Sequence, residues 1–334
     1  MNVTEPLETC ASAVWEKARP EVSVVVATHE RASYLPGLLD ALGAQTAQVE
    51  VVIADDGSTD ETWPVLQRLV AATDVPVLAL RLAHSGGPSV PRNTAVTHAR
   101  ASRLALTDDD CLPEPAWSAA VTAPLGAAVA VVQGRTCPVD EHHGPWDRSI
   151  AVDSASALFE TCNLGFDREL FVALGGFPTL SLLGHAPRGF AEDVVFGAQV
   201  ARRGGFAFAA DAIVRHRWLP ATYADHLRSV RRLSGFPWLA REVPEVRARL
   251  TCGVFLSRRT AAFDCAVAGV LAAYGSRRPA LLAGALPWLY LGYRAARRRP
   301  GRALPVRLTQ ELAADMTAAA SLAQGSVLHR RLVV

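Results

Sequence analysis

The feature that most constrains the fold is a series of short apolar runs, each followed by a polar turn and then a helical pattern. The β-branched run at residues 21–27 is too continuous for a strand with one exposed face, and predicts a strand buried on both faces. Similar runs follow at residues 49–54, 75–82, 104–107 and 127–133. Strands that alternate with helices up to residue 133 predict an α/β fold with an open, mostly parallel, Rossmann-like sheet flanked by helices.

Polar and acidic side chains stand at the ends of three of these runs. They are Thr28, Asp55, Asp56, Asp108, Asp109 and Asp110. Ligands of open α/β sheets bind at the carboxyl ends of the strands, and carboxylates suit hard divalent cations. The triplet 108–110 alone also fits a solvated acidic turn or the first turn of a helix. Three such strand ends on one side of one sheet favour a functional cleft.

A Gly-Gly pair precedes the next predicted helix. Gly86 and Gly87 would allow the backbone to approach a phosphate at the start of that helix, with Arg92 as its charge partner. A plain loop closed by proline is the alternative. The Gly-x-Gly-x-x-Gly dinucleotide fingerprint is absent after the first strand.

Residues 134–160 show no clear periodicity and predict a long loop over the site. His142 and His143 in this loop could ligate a metal, but no third ligand lies nearby in the sequence, so we interpret them as exposed loop residues. Further on, Glu192 and Asp193 stand in the first turn of a predicted helix. They are either ordinary helix-start acids or, if this turn faces the cleft, a general base at Asp193.

The composition and the motif content argue against several classes of protein. Half of the 334 residues are apolar, so the chain can bury a large core. The six cysteines show no zinc or disulfide spacing, which favours a reducing compartment. Residues 1–20 lack the apolar core of a secretory signal, and we find no nucleic-acid-binding motif. We therefore expect a cytoplasmic protein without a nucleic-acid partner.

The C-terminal region differs in charge from the rest. From residue 253 onward, twelve arginines face three acids, a balance of +9 against about −7 for the preceding residues. Apolar runs at residues 260–274 and 279–293 are shorter than the roughly twenty residues of a spanning helix. Their basic flanks predict a hairpin at about 254–293 on an anionic membrane surface, followed by a last helix at 308–322. A soluble helical subdomain is the alternative.

The motifs together resemble family 2 of the glycosyltransferases, which have the GT-A fold, use nucleotide sugars and invert the anomeric centre. The segments 22–35 and 51–60 look like the family's two nucleotide turns. Residues 87–95 resemble its Gly-Pro-x-x-x-Arg-Asn helix start, and 107–110 its Asp-x-Asp metal motif. Asn163 and Glu192-Asp193 are similar to the acceptor-side loop and the catalytic base. These matches follow the family's order over residues 21–218.

The resemblance implies a role for each residue. Nucleotide-sugar binding falls to Thr28, Glu30, Asp55, Asp56, Arg92, Asp108 and Asp109. Asp110 and Asp108 would bind the metal, Mn²⁺ or Mg²⁺. His216 would either complete the coordination shell of the metal or be a structural histidine. Asp193, with Glu192 beside it, would deprotonate the acceptor hydroxyl, and Asn163 would lie on the acceptor side. The role of Asp109 is the least defined.

Two departures from the family pattern matter. Glu30 replaces a small polar or amide residue, which puts base selectivity in question, and Val194 follows Asp193 where another acid is common. An acceptor motif of the processive synthases is not evident, so we expect transfer of a single sugar. The alternatives are a nucleotidyltransferase on a similar sheet and a non-catalytic membrane-bound subunit that binds nucleotide sugars.

The expected organisation is an extension at 1–20, a GT-A catalytic domain at 21–250 and a helical region at 251–334. The expected partners are a UDP-, GDP- or dTDP-sugar, an acceptor for which a lipid-linked molecule is one candidate, and the inner face of the cell membrane.

Overall fold

A computed structural model describes residues 1–140, 143–156, 158–179, 190–299 and 303–334. The chain forms two compact units. The first comprises Met1–Asp140 and Ser149–Trp218, and the second comprises Glu141–Arg148 and Leu219–Val334. Residues 219–250, which we assign by sequence to the catalytic domain, lie in the second unit. The functional domain limits stay a prediction.

The first unit is built on one nine-stranded sheet with the strand order β1-β4-β3-β2-β5-β8-β7-β9-β6. Its strands are β1 Glu8–Ala11, β2 Val22–Thr28, β3 Val49–Asp55, β4 Val77–Arg81, β5 Arg103–Asp108, β6 Cys111–Pro113, β7 Val131–Pro138, β8 Leu164–Asp167 and β9 Phe206–His216.

The centre of the sheet follows the predicted pattern. Strands β4, β3, β2 and β5 are parallel neighbours, with Val24 in register with Val51 on one side and with Ala105 on the other. Apart from the partly exposed Ala27, β2 is buried throughout, as its β-branched run requires. The predicted α/β class is confirmed, but the sheet is mixed, because β8 runs antiparallel to both β5 and β7.

In the described part of this unit the α-helices are α1 Leu35–Gly43, α2 Thr62–Ala72, α3 Ser89–His98, α4 Trp117–Thr122, α5 Arg168–Ala173 and α6 Glu192–Gly204. Aromatic packing fixes α6. The ring of Phe196 lies 4.7 Å from that of Phe171 and 5.0 Å from that of Phe177, both from the segment after β8. This contact holds the helix that carries Glu192 and Asp193.

Strand β1 lies inside the predicted N-terminal extension. It pairs antiparallel with β4 at the sheet edge, and its side chains are mostly exposed. A four-residue edge strand of polar and small residues has no hydrophobic pattern to reveal it, because only its backbone is needed for pairing.

The second unit is helical, with α7 Tyr223–Arg231, α8 Phe236–Glu242, α9 Pro244–Ala248, α10 Arg258–Ser276, α11 Leu286–Arg298 and α12 Leu304–His329. The two predicted apolar runs form α10 and, through a 3₁₀ turn at Pro279–Ala285, α11. Within the described ranges, none of the helices has both the length and the apolar character needed to cross a bilayer.

Candidate active site

The carboxyl ends of β2 and β5 are joined by a buried hydrogen bond. Thr28, at the end of β2, donates from Oγ1 to Oδ2 of Asp109 at 2.7 Å. Asp109 and Asp110 form the turn that leaves β5 and enters β6. The parallel pairing of β2 with β5 therefore brings the first predicted strand end to the acidic triplet.

Asp55 ends β3 with one unsatisfied oxygen. Its Oδ1 accepts hydrogen bonds from the backbone N of Ser58 at 3.1 Å and from the Ser58 hydroxyl, whereas its Oδ2 is buried without a partner. Burial raises the pKa of Asp55 above its ordinary value. A buried acceptor with no donor is rare in native proteins, and it marks a place where a ligand N–H or O–H would be bound.

Asp56 builds a loop rather than lining an open cleft. Its two oxygens accept from the backbone N of Gly86 at 2.9 Å and of Gly87 at 3.0 Å, and Ser85 donates from Oγ at 2.8 Å. The two amides that could have held a phosphate are thus directed at Asp56. The geometry favours the plain-loop alternative for residues 84–88.

Glu30 lies in a strained turn. Its φ of 53° is left-handed, a conformation that non-glycine residues rarely adopt and that often marks functional sites. The backbone N of Glu30 donates to the Ser58 hydroxyl at 2.9 Å, and its Oε1 accepts from Thr59 at 2.9 Å. Glu30 thereby links the turn after β2 to the turn after β3, and its side chain is exposed.

Arg92 connects the triplet to α6. Its guanidinium lies 2.6 Å from Oδ1 of Asp108, and 3.9 Å from Oε1 of Glu192. Both carboxylates raise the pKa of the buried Arg92 guanidinium against the opposing effect of its burial. The helix start that carries Glu192 is therefore tied electrostatically to the end of β5.

The other two carboxylates of the triplet, Asp109 and Asp110, are buried, and their contacts only partly offset the effect of burial on their pKa values. Burial raises the pKa of Asp109 to about 7, against the lowering effect of its hydrogen bond from Thr28. Burial also raises the pKa of Asp110, and the charge on Asp108 adds to this rise. Burial thus disfavours the ionised form of both carboxyl groups, and a bound cation would stabilise that form.

Asp110 and His216 form the part of the site that fits a metal ion. The pairing of β6 with β9 places Nε2 of His216 3.4 Å from Oδ1 of Asp110. Nδ1 of His216 lies 2.8 Å from the backbone carbonyl of Arg217, which can only accept, so in the neutral ring Nδ1 carries the proton and Nε2 presents its lone pair to Asp110. Two acceptors that face each other at this distance suit a cation between them.

Cys111 is the third group near this pair. Burial raises the pKa of its thiol well above the ordinary value, so at neutral pH it is protonated and is a poor ligand for Mn²⁺ or Mg²⁺. The predicted ligand Asp108 is already paired with Arg92. Asp110 and His216 are thus the predicted ligands that the structure brings together.

Asp193 lies half-buried at the start of α6. Its Oδ1 accepts from the backbone N of Val194 at 2.8 Å, and Ala191 before the helix has a left-handed φ of 57°. Burial and the neighbouring charge of Glu192 raise the pKa of Asp193 well above its ordinary value, and Glu160 adds to the effect. A carboxylate in such surroundings is a stronger proton acceptor than an exposed one.

Asn163 has a different environment from the one implied by the acceptor-side prediction. It is buried, its Oδ1 accepts from Trp117 Nε1 at 2.8 Å, and its Nδ2 donates to the carbonyls of Arg135 and Ala212, both at 2.8 Å. With both amide hydrogens used, its visible role is to bridge β7 and β9 beside the bulge at Gly134.

The sequence also offers two loop histidines as possible metal ligands. His142 lies outside the described residues. His143 belongs to the second unit, and its Nδ1 contacts the carbonyl of Gly144 at 3.1 Å. Sequence reasoning missed Ser58, whose hydroxyl bonds to both Asp55 and Glu30, although its position in an Asp-Asp-Gly-Ser turn was a usable signal.

Comparison with known proteins shows similarity to glycosyltransferases. The profile described as "Glycosyl transferase family 2" matches residues 23–178. Over 91 residues, the chain is 34% identical to the poly(ribitol-phosphate) beta-N-acetylglucosaminyltransferase TarS of Staphylococcus aureus, a match that covers 26% of this chain and 16% of TarS. Over 90 residues, it is 26% identical to the UDP-Glc:alpha-D-GlcNAc-diphosphoundecaprenol beta-1,3-glucosyltransferase WfaP of Escherichia coli, covering 27% of this chain and 35% of WfaP.

Among solved structures, the fold is similar to that of the mannosyltransferase PcManGT from Pyrobaculum calidifontis in complex with GDP-Man and Mn²⁺. The TM-score is 0.56 at 21% sequence identity, with coverage of 98% of this chain and 91% of that one. This likeness confirms the predicted GT-A fold. The profile match includes β2, β3, β5 and the acidic triplet, so the predicted resemblance to glycosyl transferase family 2 is confirmed over residues 23–178.

Proposed function

We propose that this protein is an inverting glycosyltransferase that moves one sugar from a nucleotide sugar to an acceptor hydroxyl. The observation that carries the proposal is the cluster at the carboxyl ends of β2, β3 and β5. There Asp55 keeps an unpartnered buried oxygen, and Asp110 faces the Nε2 of His216. Both features lack a partner that a nucleotide–metal complex would supply.

In this proposal the donor's nucleoside lies between the turns after β2 and β3. Oδ2 of Asp55 accepts a hydrogen bond from the nucleoside, and Glu30, which is tied to Ser58 and Thr59, shapes the edge of the pocket. Asp56 acts indirectly by holding the 85–87 loop. UDP-, GDP- and dTDP-sugars are the candidate donors.

Asp110 and His216 are the residues that would hold Mn²⁺ or Mg²⁺. Such an ion would act as a Lewis acid that stabilises negative charge on the diphosphate. Asp108 instead remains with Arg92, and this pair orients the start of α6 relative to the triplet.

Asp193 serves as the general base. The acceptor oxygen bonds to the anomeric carbon as the bond from that carbon to the donor phosphate oxygen breaks, and Asp193 takes the hydroxyl proton. Attack from the face opposite the leaving group inverts the anomeric centre. Burial keeps the Asp193 carboxylate basic enough for this step.

We place the protein at the inner face of the cell membrane through the hairpin surface, defined here as residues 267–298. Ten of its large apolar side chains are exposed, among them Tyr274 at 89% and Leu271 at 65%. Between Asp264 and Glu311 the chain has eight arginines and no acid. Apolar side chains interleaved with arginines are suited to binding the surface of an anionic bilayer. At that surface the enzyme would have access to a lipid-linked acceptor such as the one named for WfaP.

Vesicle sedimentation tests this placement. The wild type should sediment with phosphatidylglycerol vesicles and not with phosphatidylcholine vesicles. The Leu271→Glu/Leu286→Glu variant should lose this binding, whereas Leu332→Glu, a change at an equally exposed leucine outside the surface, should keep it. Equal sedimentation of all three proteins would contradict the placement.

A thermal-shift screen of nucleotide sugars with and without Mn²⁺ tests the enzymatic proposal, because a tight ligand stabilises the folded state by mass action. The donor that binds should then release its nucleoside diphosphate when acceptor is present, and Asp110→Ala or Asp193→Asn should abolish this release. Pyrophosphate release from a nucleoside triphosphate would favour a nucleotidyltransferase. Metal-dependent binding with no transfer or hydrolysis would favour a non-catalytic subunit.

A further inference from the structure

Two arginines to which the sequence analysis assigns no role, Arg31 and Arg217, share one tyrosine ring near the acidic triplet. The Cζ of Arg31 lies 5.2 Å from the ring centroid of Tyr34, and the Cζ of Arg217 lies 5.8 Å from the same centroid. In the part of the chain that the structure describes, neither guanidinium has a carboxylate within ion-pair distance.

Arg217 is held by its backbone at the Asp110 end of the site, and Arg31 is held by its backbone at the start of α2. The backbone N of Arg217 donates to the carbonyl of Asp110 at 2.9 Å, and Arg217 directly follows His216. The backbone N of Arg31 donates to Oγ1 of Thr62 at 2.8 Å. The charge on Arg31 also opposes the rise in the pKa of Asp109 and Asp110.

The neighbouring arginines show that this lack of a partner is local. Arg215, two residues earlier on β9, donates to Glu114 at 3.0 Å, and Arg92 pairs with Asp108. Arg31 and Arg217 are half-buried against one ring, so two like charges are brought together without an ion-pair partner among the described residues. The planar fork of a guanidinium group can donate two hydrogen bonds to two oxygens of a phosphate group.

We infer that Arg31 and Arg217 bind the diphosphate of the donor on the side away from Asp110 and His216, and that they stabilise the leaving nucleoside diphosphate. This inference rests on the proposed function. When the bond between the anomeric carbon and the phosphate oxygen breaks, its electron pair stays on that oxygen, while the acceptor proton goes to Asp193. The two guanidiniums stabilise the negative charge that develops on this oxygen. Their interaction with it is therefore stronger in the transition state than in the bound donor.

Binding measurements on Arg31→Ala and Arg217→Ala test the inference. By calorimetry in Mn²⁺ buffer, the affinities of both variants for UDP or GDP, whichever the wild type binds, should fall about tenfold or more. The affinity for the matching uncharged nucleoside, uridine or guanosine, should not change. In turnover, kcat should fall by a larger factor than KM rises. Arg215→Ala is the matched control and should keep wild-type affinity for both ligands.

Gly37→Ala provides a second variant that leaves every charge in place. A Cβ at Gly37 in α1 would lie 2.5 Å from Nη2 of Arg217, so the guanidinium must move, while alanine suits the helix. We expect a loss of nucleoside diphosphate affinity smaller than that of Arg217→Ala, and no loss of nucleoside affinity.

The inference is overturned if the folded arginine variants keep the wild-type ratio of diphosphate to nucleoside affinity, or if they lose nucleoside affinity to the same extent. In both cases the proposed function survives, provided that the wild type prefers the diphosphate over the nucleoside. A wild type without that preference contradicts the proposed function itself.

Discussion

The buried acids of the two units have opposite environments. In the first unit, burial raises the pKa of Asp109, Asp110 and Asp193 because cationic partners are few or distant. In the second unit, Glu311 is buried too, but it bonds to Arg259 at 2.6 Å and to Arg299 at 2.7 Å. Its neighbour Asp315 accepts from Arg259 at 2.7 Å and from the indole of Trp288 at 2.8 Å.

This difference separates structural from functional charge. A buried carboxylate without a partner destabilises the fold, so its persistence indicates a ligand that supplies the compensation. A buried carboxylate that is paired with arginines has its charge compensated without a ligand. Glu311 and Asp315 are of this kind, and their contacts connect helices α10, α11 and α12. The comparison predicts that removing charge from the first unit affects activity, and that removing it from the second affects stability.

Asp193→Asn should give the largest effect. The amide cannot accept the acceptor's proton, so kcat should fall on the order of a thousandfold. Because the ionised side chain is disfavoured by burial, the free energy of unfolding should stay equal or rise. The rate of nucleoside diphosphate release gives kcat, and chemical denaturation gives the free energy of unfolding.

The control for this variant is Asp211→Asn, an exposed aspartate on β9. It should retain wild-type turnover and stability. A folded Asp193→Asn protein with more than a tenth of the wild-type kcat would exclude Asp193 as the base and would weaken the contrast between the two units.

Glu311→Gln should give a large effect on stability instead. The substitution leaves Arg259 and Arg299 without a common carboxylate, and breaking a buried ion pair costs about 3 kcal/mol or more. Urea denaturation should show this loss, while the affinity of the first unit for nucleoside diphosphate should be unchanged.

Glu242→Gln removes a carboxylate from an exposed pair with Arg241 and should change the free energy of unfolding by less than about 1 kcal/mol. If Glu311→Gln were as mild as this control, the Glu311 network would not be the structural counterpart of the catalytic acids.

The smallest effect concerns His226, whose ring lies 4.8 Å from that of Trp146 in the second unit. Burial lowers the pKa of His226, and the charge of Arg299 adds to this, while Glu311 opposes it. The unfolded chain therefore binds more protons than the folded one just below pH 6.5, the ordinary histidine value. Stability from this group is present above pH 6.5 and is lost as the pH falls through the lowered pKa.

Thermal unfolding between pH 5 and pH 8 checks this sign. The wild type should lose on the order of a few degrees in Tm toward pH 5 relative to His226→Gln. A His226→Gln variant with the same pH dependence as the wild type would show that His226 is not the group responsible.

Much of the first unit was predictable because its strands are long, buried and β-branched. The parallel centre of the sheet, the strand ends that carry Thr28, Asp55 and the triplet, and the start of α6 all follow from periodicity and from the resemblance to the family. The antiparallel strand β8 did not follow, since a four-residue strand has no periodicity that distinguishes its direction.

Partners of individual side chains were less predictable. The sequence predicts Asp56 as a nucleotide ligand and Asn163 as an acceptor contact. In the structure Asp56 accepts hydrogen bonds from Gly86 and Gly87, and Asn163 bridges two strands. In both cases the family motif specifies the residue type, whereas the hydrogen bonds depend on segments brought close only by folding. Arg31 and Arg217 were missed for the same reason, because their common neighbour is the Tyr34 ring.

The most direct test of the central claim is a titration of Mn²⁺ into the protein with and without nucleoside diphosphate, followed by electron paramagnetic resonance. The account predicts one bound Mn²⁺ per chain in the presence of nucleoside diphosphate, and at least a tenfold loss of this binding in both Asp110→Asn and His216→Gln. Mn²⁺ binding that is equal in the wild type and both variants, or that is absent from the wild type, would contradict it.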